Sequence, residues 1–460
     1  MEMSSFLMRS WFRVVARECG AWCLLALVGS APAVAQTLPA PPPMPTGQPS
    51  AGVFGGVGSR NDPGASSLIV SLAEAYDSNV LGDSVAAIQS PLQASGFYSE
   101  LNASFTLRGG AQKLQFATAG GTDLRYYSQD HQVVGVGHYG NAGLTYLPSR
   151  TTTLVLDGGV TYTPSYLYSL FTSIAPPVVG PPNGGGAYAV TDDPMYRYDA
   201  RVSLTEKLSS RSQLTFRTGG FYTDFVHKDV FIGGVPQRNL ATFDAAGTFV
   251  HSVSRDLNLN VGYIYSRAEY FTGAFPAEHD ITFGGDYTRM LSRTRRSHLK
   301  FNVGTAMLEA TAPGDSLAVL RQQYRLAGDV TFSRQIARTW LAEGGYRRGF
   351  GFIEGLATPV LTDGVNVSGS GLLTRSVDLL VKGAYSVGEP VTFGATHGFT
   401  TYTTDVRTRF ALKTAWAVYL EYLYYYYDFS GRLVPIGAPP KMARNSVRVG
   451  LTWWFPLQRS

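Results

Sequence analysis

The sequence predicts an all-β protein: a single closed antiparallel transmembrane β-barrel of about 18 strands, with short periplasmic turns and long extracellular loops. Three observations carry that prediction. Apolar and polar residues alternate with period two in segment after segment, and short polar turns recur about every 40 residues, with one gap of about 60. Beyond the N-terminus no apolar run is long enough to cross a bilayer as a helix. Composition agrees: among 460 residues only 15% are charged, with 13% aromatic, 51 Gly and 27 Tyr, which fits neither a coiled coil nor a disordered chain.

Residues 1–35 have the form of a secretory signal peptide. Arg9, Arg13 and Arg17 precede the apolar run Ala21 to Val28, and Ala33-Val34-Ala35 forms a small-x-small cleavage site ahead of Gln36. The apolar run is too short to be retained as a spanning helix. Cys19 and Cys23, the only 2 cysteines, leave with the signal. The mature chain is then cysteine-free, which excludes disulfides, thiolate metal sites and a cysteine nucleophile. Loss of the signal takes the net charge from +5 to about +4, too mild for a nucleic-acid partner, and no Lys/Arg run suggests one.

Residues 36–66 are Pro- and Gly-rich, as in Leu38-Pro39-Ala40-Pro41-Pro42-Pro43, with almost no charge and no apolar period. They read as an extended or disordered periplasmic linker, either a mobile terminus or a partner-docking spacer.

Residues 67–460 are the barrel. Phe97, Leu101, Ala103, Phe105 and Leu107 share one parity, while Tyr98, Glu100, Asn102, Ser104, Thr106 and Arg108 share the other. Leu257, Leu259, Val261, Tyr263 and Tyr265 oppose Asn258, Asn260 and Gly262, with Ile264 out of pattern. Leu299, Phe301, Val303 and Met307 oppose Lys300, Asn302 and Gly304. In a membrane barrel the apolar face meets lipid and the polar face lines the lumen, whereas a soluble sandwich would reverse inside and outside.

The connections choose between those readings. Short turns fall at Gly109-Gly110, Pro148-Ser149, Ser209-Ser210, Ser254-Arg255, Arg293-Thr294, Ile336-Ala337, Thr374-Arg375 and Lys413-Thr414. Larger loops lie between them, such as Tyr270 to Glu278, Leu308 to Leu320, Gly349 to Leu361 and Val387 to Phe399. Short turns on one side and long loops on the other is the layout of outer-membrane barrels. A propeller would also repeat near 40 residues, but its strands are about five residues long, and these run roughly 10 to 14. Tyr422, Tyr424, Tyr425, Tyr426 and Tyr427, with Trp340, Trp416 and Trp453, fit the girdles at the two membrane boundaries. Tyr98, Phe221, Tyr425 and Tyr427 have lumen parity, where their faces could instead stack on sugars.

One loop stands apart. Pro164 to Pro194 begins with Tyr166, Leu167, Tyr168, Leu170 and Phe171 and continues into Pro- and Gly-rich sequence. Such an apolar segment is expected to fold into the lumen mouth as a constriction or to cover a subunit contact, with a disordered surface loop as the alternative.

The closing strand carries Val447, Val449, Leu451, Trp453 and Phe455 on one parity. It resembles the C-terminal signal of outer-membrane proteins, which implies recognition by the barrel-assembly machinery, although Pro456 to Ser460 displace the carboxylate. The opening strand, Ser71 to Val80 with Tyr76-Asp77-Ser78-Asn79, resembles that of the porin-like β-barrel porin 2 family. That resemblance implies a channel, in some members one encoded beside exopolysaccharide export. Glu74 falls on the apolar parity of its strand, so a bulge or altered register is expected there.

Chemistry has little local support. The seven histidines are scattered singly, with no metal-ligand spacing, and there is no phosphate loop and no nucleophile elbow. The expectation is therefore neither an enzyme nor a cofactor protein. Paired charge is what the lumen parity offers: Asp123 with Arg125, Asp199 with Arg197 and Arg201, and Asp405 with Arg407 and Arg409. Asp157, Asp244, Asp286, Asp329, Glu343, Asp378, Lys382 and Glu421 take the same face. Such a ladder either keeps a wet wall neutral or sets up a field that orients polar solutes. The partners implied are outer-membrane lipid, the assembly machinery, and small polar solutes or polysaccharide. The leading expectation is a porin-like channel, and the alternative is a loop-plugged scaffold barrel that binds at the surface.

Overall fold

Long alternating strands joined by turns too short to do anything but reverse the chain leave one economical solution, a meander whose last strand returns to its first. The computed structural model describes residues 66–78, 95–127, 133–163, 195–226, 231–232, 235–236, 239–270, 276–292, 295–311, 320–336, 339–352, 359–391, 398–413, 415–429 and 441–457. The expected signal peptide and linker, and the loop carrying Tyr166 to Phe171, lie outside them.

The strands are β1 (Ser67–Asp77), β2 (Gly96–Ala111), β3 (Leu114–Tyr127), β4 (Val133–Tyr146), β5 (Thr152–Thr163), β6 (Met195–Lys207), β7 (Ser212–Phe225), β8 (Phe231–Ile232), β9 (Val235–Pro236) and β10 (Leu240–Ser252). They continue with β11 (Leu257–Tyr270), β12 (Ala277–Ser292), β13 (Arg295–Thr311), β14 (Leu320–Ile336), β15 (Trp340–Gly351), β16 (Val360–Leu372), β17 (Val377–Pro390), β18 (Phe399–Lys413), β19 (Trp416–Phe429) and β20 (Lys441–Pro456). Short β8 and β9 pair only with each other. The rest form one 18-stranded sheet.

Each wall strand pairs antiparallel with its neighbour in sequence, β7 with β10 across the small hairpin. Closure comes from β1, which pairs with β2 on one side and with β20 on the other, from Ser67 opposite Pro456 to Asp77 opposite Ser446. The ladder runs past both ends of that seam, through Ser78 N–H to Asn445 O at 2.9 Å and Leu457 N–H to Ser66 O at 2.8 Å. A closed wall leaves no edge strand and no unpaired backbone in lipid.

The hairpin turns share a chemistry. Ser149 Oγ accepts the backbone N–H groups of Thr151 and Thr152 at 3.1 and 2.9 Å. Ser209 does the same for Arg211 and Ser212, and Ser254 for Asp256 and Leu257. A hydroxyl two or three residues ahead of these amides satisfies donors that a tight turn would orphan, so Ser recurs there. At the first hairpin the chain instead uses Gly110, with φ of 133°, where a side chain would collide with the Leu114 carbonyl.

Parity sorts side chains as alternation requires. Phe283, Leu326, Val303, Val449 and Phe301 point outward, and Leu326 is 64% exposed, an uneconomical position unless hydrocarbon covers it. Tyr385, Tyr402 and Tyr426 make a row of outward rings at the loop end, with centroids 4.8 and 5.6 Å apart. Trp416 and Trp453 meet edge to face at the turn end. These are girdles at the two boundaries of an apolar band, and the barrel belongs in a bacterial outer membrane.

One local expectation needs amendment. The register on both sides of Glu74 is continuous, with no bulge. Its carboxylate stays on the outer face, accepts the Ser99 hydroxyl at 2.7 Å and lies close to the loop end, where a charge reaches the interface at little cost. Ile264, out of pattern in sequence, lines the lumen.

Candidate functional site

The lumen has two unlike halves. Around the seam, inward side chains of β1 to β3 and β17 to β20 pack into an ionic network. Arg125 Nη2 lies 3.3 Å from Glu100 and 3.4 Å from Asp123. Arg448 Nη1 lies 3.6 Å from Glu100 and 3.4 Å from Glu421, and its Nε donates to the Tyr98 hydroxyl at 3.0 Å. The Tyr98 ring stands between the two guanidinium groups, with centroid distances of 5.1 and 6.0 Å. Arg444 Nε donates to Asp77 at 2.7 Å. On β17 and β18, Arg409 grips both oxygens of Asp378 through Nε at 3.0 Å, and Lys382 lies 3.9 Å from Asp405. All these groups except Asp405 are buried.

Register explains the pairing. Glu100 is directly opposite Arg125, Asp378 opposite Arg409, Lys382 opposite Asp405, Arg407 opposite Glu421, and Glu421 opposite Arg448. Opposite charges at facing positions of adjacent strands need no loop to find each other. In a site closed to water such pairs also carry a large penalty if either member is lost.

From β7 to β16 the lumen is open, with a cavity of about 690 Å³. Its walls carry Arg217, Lys300 and Arg347 beside Glu278, Asp280, Asp286 and Asp329. Asp286 is held by His298 Nε2 at 2.9 Å, and the Asn302 amide donates to both oxygens of Asp329 at 3.0 and 3.2 Å. Arg217 lies 3.9 Å from Asp244.

A tongue covers this half at its outer end. β15 pairs with β14 only as far as Arg348 opposite Gly328, although β14 continues outward to Leu320 alongside β13. Beyond Arg348, β15 stays paired with β16 and leaves the wall. Phe350 and Leu361, on the outward parity of this hairpin, pack on Ala306, Leu308 and Ala327, on the inward parity of β13 and β14. An outward face can touch an inward face only if the hairpin lies inside the barrel. Gln323 of β14 donates to the Val391 carbonyl just past β17 at 3.0 Å, so the end of β17 is drawn in as well. Phe352 then reaches Leu240 and Ala268 on the inner wall of β10 and β11.

The candidate residues from sequence therefore separate. Asp123 and Arg125 enter the seam network, and Asp405, Arg407 and Arg409 form its β18 flank. Arg197, Asp199 and Arg201 stand on β6, with Arg197 over the Phe221 ring at 3.8 Å and Arg201 opposite Asp157. They do not make one continuous ladder. Val447, Val449, Leu451, Trp453 and Phe455 occupy the outward face of β20, with Val449 opposite Glu74 and Phe455 opposite Leu68. Tyr98 and Tyr427 face inward but are fully buried, which leaves no free ring face for a sugar. Sequence reasoning missed the tongue and the pair Glu278 and Asp280. The signal for the pair was present as an acid-x-acid step, but it sat at what read as the edge of a loop.

No family model matches the chain, and no curated protein matches it. Among solved structures it is similar to OpdL of Pseudomonas aeruginosa, at 11% identity and a TM-score of 0.41, over 86% of this chain and 99% of that one. It is similar to OccAB4 of Acinetobacter baumannii, at 11% identity and a TM-score of 0.41, over 86% and 100%. It is also similar to the copper transporter OprC, at 11% identity and a TM-score of 0.41, over 83% of this chain and 66% of that one.

Proposed function

We propose that the barrel is a porin-like channel for small polar solutes, narrowed from within by the β15–β16 tongue. The observation that carries this reading is the wet half of the lumen, a cavity of about 690 Å³ walled by charged and amide side chains. Barrels of roughly 16 to 18 strands enclose water where those of about 8 are filled by side chains. The charged residues of β6, with Arg217, Lys300 and Arg347 of the open half, then act as a field that orients solutes along the wall.

Exopolysaccharide passage, the finer reading, has less support. A sugar chain needs free aromatic faces, and of the four lumen rings Tyr98 and Tyr427 are enclosed, Phe221 is already under a guanidinium, and Tyr425 is half-buried. In this reading residues 1–35 direct export, residues 36–66 form a periplasmic spacer, and the assembly machinery reads the outward face of β20. The loop carrying Tyr166, Leu167, Tyr168, Leu170 and Phe171 is a second candidate constriction.

The packed seam and the inward tongue favour one competing reading, a plugged scaffold barrel. Single-channel recording of refolded protein in planar bilayers separates the two. Resolved open steps support the channel; a silent bilayer, with the barrel shown folded, supports the scaffold.

A further inference from the structure

Glu278 and Asp280 stand two residues apart on β12, on the same inward face, with their Cα atoms about 7 Å apart. Glu278 is 9% exposed. Among the described residues no hydrogen-bond donor serves it, and Asp280 Oδ1 is buried without a partner. The other acids of the cavity differ: Asp286 has His298 and Asp329 has Asn302.

The cause of this isolation is the tongue. Glu278 and Asp280 are directly opposite Leu308 and Ala306, the two β13 residues on which Phe350 and Leu361 pack. The tongue thus covers Glu278 with apolar groups that offer it no donor, while Asp280 stays partly open to the cavity. On their other side they face Ser266 and Ile264. A carboxylate kept from water without a donor is costly, and a cation that arrives there recovers that cost. Arg347, at the root of the tongue, lines the same cavity and acts electrostatically on both acids, without forming an ion pair with either.

From this geometry we infer that Glu278 and Asp280 bind the cationic head of a solute, an ammonium or guanidinium carried on a short apolar stem. The stem lies against Ile264 and Phe350, which line the cavity beside the two acids, and Arg347 competes for the same carboxylates from the tongue. A divalent metal is the poorer fit, because no group of three or more metal-ligating side chains occurs among the described residues. The inference deepens the channel reading by naming a class of cargo, and the binding measurement below does not depend on conduction.

The test uses agmatine as the probe and the full-length refolded barrel in detergent. Calorimetry is expected to show saturable agmatine binding that weakens about tenfold or more in Glu278→Gln/Asp280→Asn, since charge-assisted hydrogen bonds to both carboxylates are lost. Arg347→Gln is expected to tighten binding by removing the internal competitor, and Glu278→Asp to retain most of it. Glutarate, an anion of similar length, is expected not to bind. Equal agmatine affinity in the wild type and the double variant, or no binding to folded wild-type barrel, overturns the inference. In bilayers agmatine is expected to block potassium current in the wild type and much less in the double variant. A silent bilayer with intact agmatine binding would defeat the channel reading and leave the site standing.

Discussion

Arg448 Nη1 stands 3.4 Å from Glu421 Oε2, and the two residues are directly opposite each other on the last pair of strands, β19 and β20. The same guanidinium reaches Glu100 on β2, so one side chain ties together strands on both sides of the seam strand β1. Replacing Arg448 with Met would leave Glu421 enclosed without this partner and Glu100 with Arg125 alone. A loss of about 3–5 kcal/mol is expected, read as a shift of the urea midpoint of the barrel in detergent. An unchanged midpoint would mean that the network contributes nothing to closure.

The outward and inward faces of β13 should differ sharply in their tolerance of charge. Val303 faces lipid, and Arg placed there is expected to cost about 2–4 kcal/mol of folding stability in bilayers if the site lies near the midplane. Asn302, its neighbour, lies in the cavity beside Asp329, and Asn302→Arg is expected to cost far less. Equal penalties at the two positions would contradict the assignment of faces.

The tongue is held by few contacts, chiefly Phe350 and Phe352. Phe350→Ala/Phe352→Ala is expected to loosen it and raise single-channel conductance while leaving the lower wall folded. Deleting residues 166–186 is expected to raise conductance further if that loop shares in the narrowing. Steps of wild-type size in the double Ala variant would remove the tongue as a constriction.

Assembly tests the closing strand. Phe455 is exposed on the outer face near the end of β20. Phe455→Ala is expected to lower the folded, heat-modifiable fraction in cells, where the assembly machinery acts, with a smaller effect on refolding in detergent. Equal effects in both settings would point to lost packing rather than lost recognition.

Much of this architecture was legible from sequence because parity and turns are local properties. Leu299, Phe301 and Val303 declare one face of β13 without reference to any other strand, and Ser149, Ser209 and Ser254 declare their turns. Even the seam pairs could be listed by parity, though not matched, since Arg448 meets Glu100 only after the barrel closes across a sequence separation of 348, as Tyr98 meets Ser446. The tongue was hidden for a different reason. Tyr346 to Gly351 gave one sign, Arg348 on the outward parity with Asp363 opposite it, but a charge near a loop end is ordinary in a wall strand, and what draws this end inward is long-range contact between Phe352 and Leu240. Glu278 and Asp280 acquired their character from that cover, so they read in sequence as the rim of a loop. Glu74 misled in the other direction, because depth in the membrane, not parity alone, sets the cost of a charge.

The central claim is that side chains of alternate parity meet two different solvents, hydrocarbon outside and water inside. Single cysteines along Leu299 to Met307, each carrying a fluorophore in lipid vesicles, test it most directly. Labels at Leu299, Phe301, Val303 and Met307 are expected to be quenched by a lipid-borne quencher, and those at Lys300 and Asn302 by an aqueous one. Loss of that alternation, or its reversal with the aqueous quencher reaching the apolar parity, would contradict the account.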